Sequence, residues 1–322
     1  MDERENDTRE KIAALKAALG GKSSGEELYE QHRVAEVALD FRQSDEIAGL
    51  PPVDEELVEQ LRALSLEALK RAAAAGHGEA AIGLARRVLQ HEDSELASAA
   101  WPTLTRLAPA DESGTLDVLL SYMWTRGLGG PDGSDGDEDE ARSAAVRAAE
   151  KGNADGLFEA AVLVGRSDPE AGRAYNAKAA GLGQPRAMFN EGYYAETGDR
   201  VPQDDAVAFE WYRKAADLGH VKAGALVGIK CYQGRGHERD PAIITQYLGL
   251  AQNGGFPWAS LAEVLAVSDE EIAEMRQIAG IEEDDYDPYG DEDEDEDEEE
   301  GEDEDEDGED EDGEDEDEDE DK

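Results

Sequence analysis

Gly21-Lys22-Ser23 has the composition of a phosphate-binding loop, in which backbone amides and a lysine cradle the phosphates of a nucleotide. Such a loop needs a glycine five residues before the Gly of Gly-Lys-Ser. Position 16 is Lys16, and no apolar strand precedes it. Gly20-Gly21-Lys22-Ser23-Ser24-Gly25 therefore reads as a flexible linker. Asp303, Asp305, Asp307, Gly308 and Glu314 reproduce the spacing of a calcium-binding loop. That loop requires flanking amphipathic helices and an apolar residue at its eighth position, whereas Asp310 stands there between Asp/Glu-rich flanks. The pattern follows from an alternating acidic composition and assigns no metal site. Asp132, Asp135, Asp137 and Asp139 form a similar acidic loop, better suited to face the positive end of a helix dipole. His32, His77, His91, His220 and His237 are scattered, but His77 and His220 each follow an equivalent glycine, Gly76 and Gly219. Recurrence at a structural position points to capping or packing rather than catalysis. Cys231 is the only cysteine, which excludes an intramolecular disulfide and a Cys-based zinc site. It reads as a small core residue, as Trp211 and Trp258 read as larger ones. No nucleophile-base set and no cofactor fingerprint emerges from the spacing, so the expectation is a protein without enzymatic activity, cofactor or metal.

The charge is strongly uneven. The chain has 322 residues, with 82 Asp and Glu against 30 Lys and Arg, a net charge of −52. Residues 282–322 contain 33 acids and one base, Lys322, net −32; residues 1–281 contain 49 acids and 29 bases, net −20. Hydrophobic residues make up 39% of the whole chain. Without the tail this rises to roughly 44%, near the usual globular range. An acidic body thus carries a tail with nothing to bury, expected to be extended and disordered because like charges repel. A phosphate-backbone binder needs clustered Lys and Arg, so direct nucleic-acid binding is not expected. No apolar run approaches the ~20 residues of a membrane span. The acidic start, Met1-Asp-Glu-Arg-Glu, is the reverse of a secretory signal, and a cytoplasmic location is expected.

Any chemistry would have to be positioned by helices. Leu57, Leu61, Leu64, Leu66 and Leu69 recur at helical spacing, alanine supplies about one residue in six of the body, and alternating β-branched runs are missing. Ser268 and Glu271 form a capping box that should open a last helix ending near Gly280. The stretch Arg213-Lys-Ala-Ala-Asp-Leu-Gly219-His220 has near copies at 70–77, 146–153 and 177–184, anchored on Gly76, Gly152 and Gly183. The anchors are 76, 31 and 36 residues apart, the first interval being twice 38, with Gly114 at its midpoint in a copy interrupted by Pro109. A weaker copy ends at Gly254. Two alanines precede each strong anchor by four and three residues: Ala72 and Ala73, Ala148 and Ala149, Ala179 and Ala180, Ala215 and Ala216. Small residues follow at four and nine, such as Ala187 and Gly192. The glycine is expected to end one helix in a left-handed C-cap, and the small residues to let neighbouring helices approach. Each unit is then a helix pair, and stacked units share a core.

These residues resemble the Sel1-like repeat family, an α/α relative of the tetratricopeptide repeats. The match runs through Ala187-Met-Phe-Asn-Glu-Gly192, Val201-Pro-Gln-Asp204 and Ala206-Val-Ala-Phe-Glu-Trp211-Tyr-Arg-Lys-Ala-Ala-Asp-Leu-Gly-His220. Gly234-Arg-Gly236 and Gly127-Leu-Gly129 resemble the family's turn between paired helices. The resemblance covers about 138–260, is weaker over 68–137, and is absent from 1–50 and the tail. Glu191 replaces a usual apolar residue, Ala195 and Cys231 replace a usual tyrosine, and the turn at 165–170 is shortened. The resemblance implies an all-α, α/α helical-repeat solenoid over 53–281. An N-terminal helical or flexible segment (1–50), whose first helix has nothing to fix its register, precedes it, and a disordered acidic tail (282–322) follows. It also implies an adaptor that binds proteins on the face made by the first helix of each unit. Asn190, Tyr193, Tyr194 and Lys230 are the candidate interaction surface, and the expected partner is a basic or neutral protein. The alternative is an acidic chaperone-like or nucleic-acid-mimicking binder of basic proteins, in which the tail carries the affinity.

Overall fold

A computed structural model describes residues 3–47, 53–130, 136–256 and 267–281. Among them every regular element is helical: α1 (Glu3–Gly20), α2 (Gly25–Ile47), α3 (Glu55–Ala74), α4 (Gly78–His91), α5 (Ser94–Leu107), α6 (Thr115–Thr125), α7 (Glu138–Glu150), α8 (Ala154–Gly165), α9 (Pro169–Gly181), α10 (Pro185–Thr197), α11 (Asp205–Asp217), α12 (Val221–Tyr232), α13 (Pro241–Asn253) and α14 (Asp269–Ala279). Most helices pack chiefly on their neighbours in sequence, as expected of a repeat array. Residues 1–282 cluster as one compact unit. The acidic tail, Trp258, Pro51-Pro52, Asp132 and Asp135 lie outside the described residues.

The joints between units come directly from the repeated sequence. At Gly76, Gly152, Gly183 and Gly219 the backbone has φ between +78° and +96°, a region glycine enters without steric cost. At Gly219 its amide donates to the Ala216 carbonyl at 2.8 Å and the His220 amide to the Ala215 carbonyl at 3.0 Å. The same two bonds recur at the other three anchors, onto Ala72 and Ala73, Ala148 and Ala149, Ala179 and Ala180. This double closure is a Schellman motif. The residue after each glycine then caps the following helix: His77, Asn153, Gln184 and His220 each accept the amide three residues on. The two recurrent histidines are therefore helix caps, with Nδ1 the accepting atom.

Two weaker units differ in register. Gly254 has φ −84°; the left-handed residue is Gly255, at +75°. The Gly255 and Phe256 amides make the Schellman bonds to Gln252 and Ala251, so the anchor lies one residue later than the Gly254 expected from the sequence. Gly114 is also left-handed, but it serves as the N-cap of α6 after a short 3-10 turn at Ala108–Ala110. Pro102 lies within α5 and Pro109 within the 3-10 turn, and no Schellman closure forms there.

The first helix has a fixed register. Ile12 and Leu15 are buried with Ala35 and Ala38 of α2 and Leu61 and Ala68 of α3. The apolar stripe through Ile12, Leu15 and Leu19 holds α1 against its neighbours. Ser24 caps α2 reciprocally with Glu27, so the glycine-rich stretch is a helix-to-helix turn. Asp137 caps α7, with Glu138, Asp139 and Glu140 in its first turn. The Ser268–Glu271 capping box forms, and Gly280 closes that last helix in the left-handed region.

Candidate protein-interaction groove

Two polar sites outside the α8–α10 region are held by their own neighbours. Ser65 Oγ donates to Glu36 at 2.7 Å and lies 2.7 Å from His32 Nδ1, a serine-histidine-glutamate set that spacing did not foresee. Because the serine proton points at the carboxylate, His32 must donate, so it cannot act as base toward that serine. Ser65 is also 0% exposed. Burial holds the His32 imidazole below its ordinary pKa, partly offset by Glu36. Cys231 is buried under the Asp240 amide, 3.3 Å from its sulfur, and burial pushes its thiol up, away from the nucleophilic thiolate. Among the described residues, no group of three His, Cys, Asp or Glu side chains is placed to hold a metal ion.

An open groove of about 410 Å³ lies between α8 and α10 over α9. Ala161 and Val162 of α8 form an apolar shelf, Asn176 of α9 forms part of the floor, and Asn190 and Tyr194 of α10 form the opposite wall. Asn190 Nδ2 donates to Asn176 Oδ1 at 3.0 Å, and Asn176 donates in turn to the Ala187 carbonyl and to Glu191. Glu191, which departs from the apolar residue of the family, thus fixes the asparagine floor.

Three arginines surround the groove: Arg166, Arg173 and Arg200. The Arg173 guanidinium lies 3.7 Å over the Tyr194 ring and donates to the Asp199 carbonyl at 3.4 Å. Arg166 reaches Glu138 at 3.0 Å and Arg200 is 3.9 Å from Asp199. Arg200 takes a left-handed φ of +61° at the turn after α10.

Asn190 and Tyr194 therefore share one groove. Tyr193, 52% exposed, stands beside it with its ring 6.3 Å from that of Tyr194. Lys230 does not join them. It is 2% exposed, its ammonium bound to Glu196 at 2.5 Å and to Asp205 at 3.2 Å. The expectation that Lys230 faces outward is corrected: two carboxylates draw it inward, and the buried Tyr212 hydroxyl donates to the same Glu196. Burial would raise the Asp205 carboxyl, but hydrogen bonds and charge from Lys230 and Arg235 hold it below its ordinary value.

The arginines and Asn176 were not singled out from the sequence, yet a signal was present. Aligning units on their anchor glycines places Asn176 where the next unit has Tyr212, Tyr194 where it has Lys230, and Gly165 where it has Glu196. The Tyr212–Glu196–Lys230 plug fills one unit, and its absence leaves the groove in the preceding one.

Residues 185–220 match the family model described as Sel1 repeat, the span of α10, α11 and the joint that follows. The structure is similar to that of c5321, a protective antigen present in uropathogenic Escherichia coli strains displaying an SLR fold. The identity is 19% and the TM-score 0.54, over 84% of this chain and 56% of that one. The chain thus spans little more than half the length of that protein. A Sel1 repeat protein from Oxalobacter formigenes is 20% identical over 61% of this chain and 82% of its own, with a TM-score of 0.46. No curated protein sequence matches the chain. No helix among the described residues is long and apolar enough to cross a membrane. A Sel1 repeat thus spans α10 and α11, within a fold similar to the SLR fold over most of the chain.

Proposed function

We propose that the protein is a non-enzymatic protein–protein interaction scaffold that holds a segment of a partner protein on the face made by α8 and α10. The open groove beside Tyr193, lined by Asn190 and Tyr194, is the observation that carries this reading. Helix-pair arrays present such faces on a rigid, locally cross-braced frame, and aromatic side chains provide interface area at low entropic cost. The net charge of −20 on residues 1–281 favours approach by basic or neutral proteins. A photo-crosslinking residue placed at Tyr193 is expected to yield defined partner adducts. The same residue at exposed Leu218 should yield none, and Tyr194→Ala should abolish those at 193. Equal adducts at both positions sink the reading.

The tail supports a second reading, in which its local charge of −32 captures basic proteins and the helical body only carries it. Such capture weakens steeply as salt shortens the screening length from about 10 Å at 0.1 M. Truncation after Glu282, the edge of the compact unit, separates the two. Retention of the Tyr193 adducts favours the groove, and loss of every partner favours the tail.

A further inference from the structure

We propose that the α8–α10 groove selects an acidic peptide segment of its partner, an extended stretch with carboxylates flanking a small apolar side chain. The inference rests on the scaffold reading and reverses, for this groove, the charge expected from the body as a whole. Over residues 1–281 acids outnumber bases 49 to 29, yet the groove is lined by three arginines and a single acid, Asp199. Arg173 is the key cation. Among the described residues no carboxylate lies within ion-pair distance of it, and its hydrogen bond goes to the neutral Asp199 carbonyl. The Tyr194 ring beneath its plane fixes the guanidinium and leaves its donor edge for a planar, two-oxygen acceptor. Arg200, 51% exposed and 3.9 Å from Asp199, is only weakly committed. Arg166 is held by Glu138 and contributes less. Ala161 and Val162 line the same groove and offer apolar contact to a small side chain.

The field of the whole chain opposes an acidic ligand at a distance. Screening confines that repulsion to about 8 Å at physiological salt, so it slows encounter while the arginines decide the bound state. Selection is therefore local, and it sets this site apart from capture by the acidic tail, which favours the opposite charge.

The test is fluorescence anisotropy of the full-length chain with a short dye-labelled peptide alternating Glu and Val, alongside its Gln-for-Glu and Lys-for-Glu counterparts. The Glu peptide is expected to bind with saturation, and the Gln counterpart at least about tenfold more weakly. Arg173→Gln should weaken the Glu peptide by about tenfold, and Arg200→Gln, in an exposed turn and safe for folding, by roughly threefold. Arg33→Gln, on α2 and paired with Glu30, should change nothing. Absence of binding by the Glu peptide overturns the proposal, as does equal or tighter binding of either counterpart. Affinity unchanged in both Arg173→Gln and Arg200→Gln overturns it too. Those outcomes leave the scaffold reading to its own test: adducts at Tyr193 with an uncharged partner segment would keep the scaffold and discard the acidic preference.

Discussion

The unit from Gly152 to Gly183 and the unit from Gly183 to Gly219 have matching joints and different interiors. Both end in the same Schellman bonds onto a pair of alanines, and both start on a side-chain cap. Between those ends, α10 and α11 are joined through residues 198–204, and the space beside them is filled by Tyr212, Glu196 and Lys230. The helices α8 and α9 are joined through 166–168 alone, and Gly165 and Gly172 meet backbone to backbone. With a glycine in place of the glutamate and an asparagine in place of the tyrosine, that interior stays open. The contrast shows that the repeat fixes how units connect, while each unit's deviations decide whether its interior is filled or left as an open groove.

The contrast can be broken most sharply at equivalent positions. Lys230→Met strips two carboxylates of a buried cation, and should cost about 3 kcal/mol, the low end for such pairs because Glu196 and Asp205 remain partly solvated. Tyr194→Met, its counterpart beside the groove, should cost less than about 1 kcal/mol. Urea unfolding of both variants measures the difference, and equal costs would mean that the two interiors are not differently built.

A smaller effect separates the glycines. A Cβ at Gly172 would lie 2.6 Å from the Gly165 Cα, so α8 and α9 must part; a Cβ at Gly192 would lie 2.7 Å from the Tyr212 ring, a side chain rather than backbone. Gly172→Ala is expected to cost about 2 kcal/mol and Gly192→Ala about 1 kcal/mol. The reverse order in the same unfolding assay would place the tighter packing in the filled unit.

The caps that head α10 and α12 give the smallest effect and add a pH dependence. Gln184 and His220 do the same work, but only the histidine titrates. Burial, helped by Arg186 and Lys222, holds His220 below its ordinary 6.5. The unfolded chain therefore takes up the proton first as pH falls, and protonation destroys the Nδ1 acceptor. The cap contributes fully above about 6.5 and is lost as pH falls through the lower folded pKa. His220→Ala should cost about 1 kcal/mol at alkaline pH, and less in acid. His220→Asn should keep the cap and flatten the pH dependence of the difference; an unchanged slope in that variant would remove the histidine as its cause.

Much of the frame was legible in the sequence because its determinants are local. A left-handed glycine, two small residues ahead of it and a capping side chain after it all act within a few residues, so the joints at Gly76, Gly152, Gly183 and Gly219 could be located from spacing alone. Where local signals are incomplete, the anchor is misplaced. Gln252 stands where the pattern has a second alanine and two glycines follow, so the sequence points to Gly254 while the anchor falls at Gly255; prolines at 102 and 109 accompany a 3-10 turn in place of a Schellman joint. The fixed register of the N-terminal helix lay beyond sequence reasoning because it depends on Leu61 and Ala68 of α3, far along the chain.

The sequence by itself determined the helices, their joints, the acidic balance and the repeat, since backbone geometry and capping are decided by neighbours in the chain. Only the tertiary structure decided that Lys230 turns inward while Tyr194 lines an open groove, although the two occupy the same place in successive units. Whether a long side chain is drawn inward or left at the surface depends on which charges and volumes face it from the next helix. For Lys230 these are Glu196 and Asp205; for Tyr194 they are Arg173 and a floor of asparagine.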